Sequence, residues 1–369
     1  MEFRTPCWLI LLVISWFLAG TADFARAADV AQMPSEIGLL PPVPIPADNP
    51  MTPEKIVLGK FLFFDPRLSG DGSLGCVTCH LPDQGWTTHT KLSPAYPSNK
   101  ERRNSPTLIN VAYNTSLIWD GRAPNLEKQA LGPVKNPLHM NQNIDLLIQE
   151  LDAVPGYRAG FRRAFGTAVT AEGISKALAA FQRTLVTSDS PFDRYMKGDS
   201  RALSESARRG MDIYRGKGHC TLCHNGPNFS DQKFHNLGVP DPPYMNDPGV
   251  LVSIRFDAQR MGIKEFWTLD RDPGRYLVTK KPQDRGAFKT PTLRNITETA
   301  PYMHNGSVDT LEEVVDFYDR GGGNEPGISK LLVPLGLTQK EKSDLIEFLK
   351  ALTGEVPKVV KPDLAELNK

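Results

Sequence analysis

Two five-residue runs carry the chemistry this sequence announces: Cys76-Val77-Thr78-Cys79-His80 and Cys220-Thr221-Leu222-Cys223-His224. Cys-x-x-Cys-His is the attachment signature of c-type haem. The cysteine pair adds across the two haem vinyl groups as thioethers, and the adjoining histidine becomes the proximal ligand of the iron. The spacing is mechanical: two intervening residues let both sulfurs reach one porphyrin edge, with the imidazole directed under the metal. A zinc ribbon also uses two Cys-x-x-Cys pairs. It does not require a histidine after each second cysteine, nor so wide a separation between the pairs. Two covalent haems are therefore expected, on Cys76 and Cys79 and on Cys220 and Cys223, with His80 and His224 as proximal ligands.

Residues 1–27 read as a secretory signal peptide, with Arg4 at the start, an apolar run from Cys7 to Gly20 and a small-x-small site at Ala25-Arg26-Ala27. An uncleaved anchor is the alternative, because Trp8, Trp16 and Phe17 are bulky for a leader, although the run is short for a membrane span. Of five cysteines only Cys7 lies in the leader, so the other four all belong to haem motifs and no disulfide framework remains. Export together with covalent haem points to a bacterial periplasm. No later segment approaches a membrane span. Lys plus Arg is 43 against 42 for Asp plus Glu, a balance that gives no sign of a nucleic-acid partner.

The elements that must position these motifs repeat. Residues 28–50 form a proline-rich lead-in, and Thr52-Pro53-Glu54 opens a helix. Residues 126–134 and 144–151 have helical apolar spacing, and 171–185 is a clear amphipathic helix. The stretch 188–199 reads as a junction. A helix over 204–215 leads into the second motif, a long irregular stretch covers 225–291, and helices over 310–318 and 338–352 follow. Each half runs helix, haem motif, long loop, helix. The class expected is mainly α: two cytochrome c-like haem domains with long irregular loops, spanning 28–195 and 196–355, and a tail over 356–369.

The sequence resembles the bacterial dihaem cytochrome c peroxidase and MauG superfamily over roughly residues 52–355. The resemblance is carried by both haem motifs, by Arg103-Asn104-Ser105-Pro106-Thr107-Leu108 and by Trp119-Asp120-Gly121-Arg122. Phe288 to Asn295 and Ala300-Pro301-Tyr302-Met303-His304-Asn305-Gly306 complete the pattern. It implies that His80 serves the peroxidatic haem and His224 an electron-reservoir haem. On the far side of the second haem typical peroxidases place methionine and MauG-like members tyrosine; here Tyr318 falls at that position. A thioether favours reduced iron, whereas a phenolate favours oxidised states. By composition Tyr318 could equally be a helix aromatic packed on Val314 and Val315. The resemblance further implies an inter-haem role for Trp119, by composition a core aromatic as readily. It places Gln129 and Pro133 at the peroxide pocket, and a calcium ion on the Asn104 side chain and the Thr299 and Pro301 carbonyls. Oxygen ligands suit calcium.

Two departures stand out. The family's Asn-Pro-x-Glu-Met run carries an acid–base glutamate; here it reads Asn136-Pro137-Leu138-His139-Met140. His139 can shuttle a proton, or it can bind the first iron and close the pocket. MauG carries a surface tryptophan two residues before its second cysteine pair; here that residue is Gly218, leaving Trp86 or Trp267 as alternative exits. Among the other histidines, His89 reads as solvent-exposed, and His219, His235 and His304 as local hydrogen-bonding residues.

The function expected is a periplasmic oxidoreductase that uses hydrogen peroxide to form high-valent haem iron. A MauG-like enzyme would then oxidise a partner protein, maturing its cofactor as in methylamine utilisation. A cytochrome c peroxidase would instead take electrons from a small cytochrome c or cupredoxin. A non-catalytic dihaem electron carrier is the reading from another class.

Overall fold

Among the described residues nine side chains close the first turns of α-helices by accepting a backbone N–H: Thr52, Asn125, Asn143, Thr170, Ser190, Ser204, Asp247, Thr310 and Thr338. Such caps satisfy donors that a helix start leaves orphaned. The computed structural model describes residues 35–368; the leader expected over 1–27 lies outside the described residues. In chain order the helices are α1 (Pro53–Phe64), α2 (Leu126–Lys135), α3 (Ile144–Ala153), α4 (Pro155–Phe165), α5 (Ala171–Gln182) and α6 (Pro191–Met196). Then follow α7 (Glu205–Arg215), α8 (Pro248–Arg260), α9 (Tyr276–Thr279), α10 (Leu311–Asp319) and α11 (Gln339–Lys350). Two short antiparallel pairs, β1 (Pro94–Ala95) with β2 (Asn99–Lys100) and β3 (Phe234–Asn236) with β4 (Ala287–Lys289), are minor additions. The protein is mainly α-helical.

The two halves are built on one plan. A Cβ on Gly59 of α1 would come within 1.9 Å of the Ala177 carbonyl oxygen on α5, and one on Gly210 of α7 within 1.9 Å of the Asp344 oxygen on α11. Only glycine lets each helix pair approach so closely. Beside each crossing lies an aromatic triplet: Phe63, Trp86 and Phe181 in the first half, Tyr214, Phe229 and Phe348 in the second. Bridges Leu117–Ala123 and Tyr302–Val308 close matching turns, in which Ile118 and Met303 take φ of 69° and 71°. Helices α2 and α10 both begin just after these turns, so Gln129, Ala130 and Pro133 share register with Val314, Val315 and Tyr318.

Two regions differ from the sequence reading. Helix α4 begins at Pro155, and α8 lies inside the stretch expected to be irregular. With its neighbours α8 forms a third hydrophobic cluster (Met245, Val250, Ile254, Ala258, Leu277) beside the two main ones. The ends of the chain cross over. Ile37 joins the second main cluster, whereas Leu367 of the tail is buried in the first. Helix α6 spans the expected 195/196 boundary, with Phe192 in the second cluster.

Candidate functional site

One cavity of about 830 Å³ is lined by both cysteine pairs, His80, His224, Asn104, Trp119, Gln129, Pro133, His139, Thr299, Pro301 and Tyr318, but not by Trp86 or Trp267. Each haem motif opens with a short 3-10 turn, and none of its cysteines is taken up by a disulfide. His80 Nδ1 donates to the Trp86 carbonyl and His224 Nδ1 to that of Phe229, both at 3.1 Å. One ring nitrogen is thereby fixed in each case and Nε2 is left for a metal, the usual way an outer hydrogen bond orients a ligating histidine. Enclosure pushes the His80 imidazole down to about 4 and lowers that of His224. Both are thus neutral, the form that binds iron. Burial pushes the Cys76, Cys79 and Cys220 thiols up to about 12.

The wall also suits the carboxylates of a haem. Arg102 Nη2 is buried with no partner among the described residues. Lys289 is buried with no carboxylate in ion-pair reach among them, and burial lowers its ammonium to about 8. Arg102 is paired through its other nitrogens with Asp257 and Asp272, so what faces the cavity is one free guanidinium N–H group and an ammonium without a counter-ion, both costly unless a bound acceptor meets them. The donor set and the charge therefore both fit haem.

Helices α2 and α10 present matching faces with different chemistry. Gln129, Pro133, Val314 and Tyr318 all line the cavity, the first two on a helix packed in the first main cluster and the last two on one packed in the second. The proline side chain offers no donor atom, so a metal held by His80 would gain no ligand from this position. Tyr318 does offer one. Its hydroxyl bonds to no other described residue, and burial raises its pKa, with the Cys223 and Cys220 thiols adding to the effect. A phenol held so is neutral until a cation meets it.

Between the two halves stand three rings. Phe288 stacks on His304 with centroids 3.5 Å apart and planes 15° apart, and Trp119 meets His304 edge-on at 6.5 Å. Trp119 Nε1 donates to the Asn104 carbonyl at 2.8 Å. His304 was expected to be a hydrogen-bonding residue; its ring instead makes aromatic contacts, and burial pushes it down to about 3. Trp119 and His304 occupy matching turns, so aligning the chain with itself would have paired them. His235 does hydrogen-bond, to Asp231 at 2.8 Å, while His89 and His219 are exposed.

The Asn104 amide nitrogen donates to the Thr90 and Lys91 carbonyls at 3.1 and 3.4 Å, which leaves its oxygen as the free end of the amide, and Asn104, Thr299 and Pro301 all line the cavity. His139 Nε2 lies 2.9 Å from Glu101 Oε1, a partner that sequence reasoning missed because no motif carries it. A Cβ on Gly218 would come within 2.8 Å of the Ile213 oxygen and 3.2 Å of Cys220 Sγ, so no aromatic side chain fits there without a backbone shift. Of the two alternative exits, Trp86 is wholly buried and Trp267 is 66% exposed.

Comparison with known proteins decides the family. The profile described as di-haem cytochrome c peroxidase matches residues 53–201, and one described as RoxA-like, cytochrome c-like matches 287–321. The chain is 46% identical over 363 residues to cytochrome-c peroxidase IdrP1 of Pseudomonas sp. (strain SCT), covering 97% of this chain and 95% of that one. The chain belongs to the dihaem cytochrome c peroxidase and MauG family. It is also 38% identical over 346 residues to the methylamine utilization protein MauG of Methylorubrum extorquens, covering 93% and 90%. The crystal structure of a MauG-like protein associated with microbial copper homeostasis superposes with a TM-score of 0.73 at 33% identity, over 86% of this chain and 94% of that one. The protein is thus a dihaem peroxidase-type oxidoreductase, and two covalently bound c-type haems are consistent with both family and cysteine placement. No helix among the described residues is long and apolar enough to cross a membrane.

Proposed function

We propose that this is a MauG-like periplasmic enzyme that uses hydrogen peroxide to oxidise a partner protein. Residues 1–27 would export it, and the haem domains would span 28–195 and 196–355. One observation carries the reading: α10 presents Tyr318 to the second haem site with its hydroxyl uncommitted, where α2 presents Pro133 to the first. Bound haem supplies the redox chemistry of peroxide cleavage, and a phenolate ligand biases iron toward its oxidised states.

The chain's own residues do the rest. His80 and His224 would hold the irons through Nε2. Pro133 would offer the first haem no side-chain ligand, Gln129 would offer an amide to peroxide, and His139 would move a proton between its oxygens. Trp119 sits on the wall between the sites. Asn104, Thr299 and Pro301 offer the oxygens of a calcium site.

A cytochrome c peroxidase drawing electrons from a small cytochrome c or cupredoxin is the second reading. Gly218 favours it, since its surroundings leave no room for the surface aromatic used in MauG. Mixing the diferric protein with one equivalent of peroxide separates the two. The first reading expects an immediate, long-lived change at both haems without prior reduction and only slow oxidation of a reduced cytochrome c. No change until an electron is supplied, followed by rapid cytochrome oxidation, would establish the second.

A further inference from the structure

The family's acid–base glutamate is missing from the Asn136–Met140 run, yet a carboxylate stands in the same pocket. We propose that Glu101 replaces it as the charged partner of His139, so that proton handling is divided between an imidazole on one segment and a carboxylate on another. The inference rests on the reading of His139 as the proton shuttle.

Three observations carry it. His139 Nε2 and Glu101 Oε1 are 2.9 Å apart, both side chains are largely covered, at 28% and 13% exposed, and both line the cavity. The two segments are tied to each other directly: the Tyr96 amide donates to the His139 carbonyl at 2.9 Å, and the Glu101 amide to the Ser93 carbonyl at 2.8 Å. The β1–β2 turn therefore spans from one partner to the other. Both segments are also held by one carboxylate on α8. Asp257 Oδ2 accepts from Arg102 Nη1 at 2.7 Å, beside Glu101, and Asp257 Oδ1 from Asn136 Nδ2 at 3.3 Å. The His139 amide in turn donates to the Asn136 carbonyl at 2.9 Å. A surface ion pair meeting by chance would have no such framework.

The chemistry follows from charge. His139 would take the proton from one peroxide oxygen and give it to the other as the O–O bond breaks; the second oxygen leaves as water, the first stays at the first haem, the two electrons that complete the cleavage come from the haems, and the His139–Glu101 pair ends as it began. While the imidazole holds that proton it is a cation, and a carboxylate at contact distance stabilises it, as the aspartate does in a Ser-His-Asp triad. Glu101 is thus a positioning and charge-stabilising residue, acting through His139.

The test uses the two-haem holoenzyme and stopped-flow reaction with hydrogen peroxide. His139→Ala is expected to slow the reaction about a hundredfold or more. Glu101→Gln keeps the shape, so a merely structural role would survive it; a slowing of at least about tenfold is expected, with the resting spectrum of both haems unchanged. The double variant should be no slower than His139→Ala, since the two act as a unit. Glu101→Asp, which keeps the charge, should lie nearer wild type than Glu101→Gln; the reverse order overturns the proposal. So does Glu101→Gln at the wild-type rate when His139→Ala is slow, and the imidazole then works alone. His139→Ala at the wild-type rate would instead remove the shuttle on which the inference rests.

Discussion

At the scale of single residues, the cavity wall separates what spacing can reveal from what it cannot. Cys-x-x-Cys-His is local, and both copies fold as expected because all their ligating atoms lie within five residues. Tyr318 was legible only through register against a family, and the structure adds that Pro133 holds the matching place on α2, on the wall of the same cavity. Replacing Tyr318 by Phe removes one oxygen with little change in volume, so packing beside Phe317 should survive. Tyr318→Phe should retain two haems by mass, lose the low-spin signal of the second haem, and raise that haem's midpoint potential, because an anionic donor to ferric iron is gone. An unchanged spectrum and potential would show that the ring only packs. Glu101 gave no signal at all. Its partner lies in another segment, and only the fold brings the two within contact.

At the scale of elements, caps and amphipathic faces carried most of the helices. Thr52, Thr310 and Thr338 begin theirs where a cap was expected. Helix α8 was hidden because its sequence opens Asp247-Pro248-Gly249 and its apolar residues are spread around the axis. Asp as N-cap followed by Pro at the first position was the available clue. The glycines at the helix crossings were equally silent, since nothing local marks which glycine meets a neighbouring backbone. They yield a prediction at this scale. Gly59→Ala and Gly210→Ala each add a methyl within 1.9 Å of a carbonyl oxygen on the partner helix. Adding one methyl to a mid-helix glycine would otherwise stabilise by up to about 1 kcal/mol. Here overpacking should win and cost about 1–3 kcal/mol or more, read as a lower urea midpoint of the holoprotein. A raised midpoint at either site would mean that the helices can move apart freely.

At the scale of the whole molecule, the segment carrying α8 is tied to the first half by buried charge. Arg102 and Arg122 meet Asp257 at 2.7 and 2.9 Å, and Arg103 meets Asp272 and Asp120 at 2.6 and 2.8 Å. The near-neutral composition concealed this, because the partners that join the halves, the arginines with Asp257 and Asp272, lie more than a hundred residues apart and leave no pattern along the chain. Removing one member of such a pair strands the others in the interior. Asp257→Ala should therefore destabilise the protein by about 3–5 kcal/mol at neutral pH. The same carboxyls set a pH dependence. Burial pushes Asp257 and Asp272 upward, but the arginines outweigh it, and both end well below the usual carboxylate range. A group whose folded value is depressed adds stability that is present in full above its unfolded value, about 3.9 for aspartate, and is lost as pH falls toward the folded value. The urea midpoint should thus begin to fall below about pH 6.5, where His80, His224 and His304 stay neutral in the folded protein but take up protons on unfolding, and fall more steeply below about 4, where these carboxyls add their share. In Asp257→Ala it should start lower and fall less steeply across the same window, because one of the linked protons is no longer taken up on unfolding. Equal slopes for the two proteins would mean that Asp257 is not held ionised by its arginines and that the tie between the halves is made by shape alone.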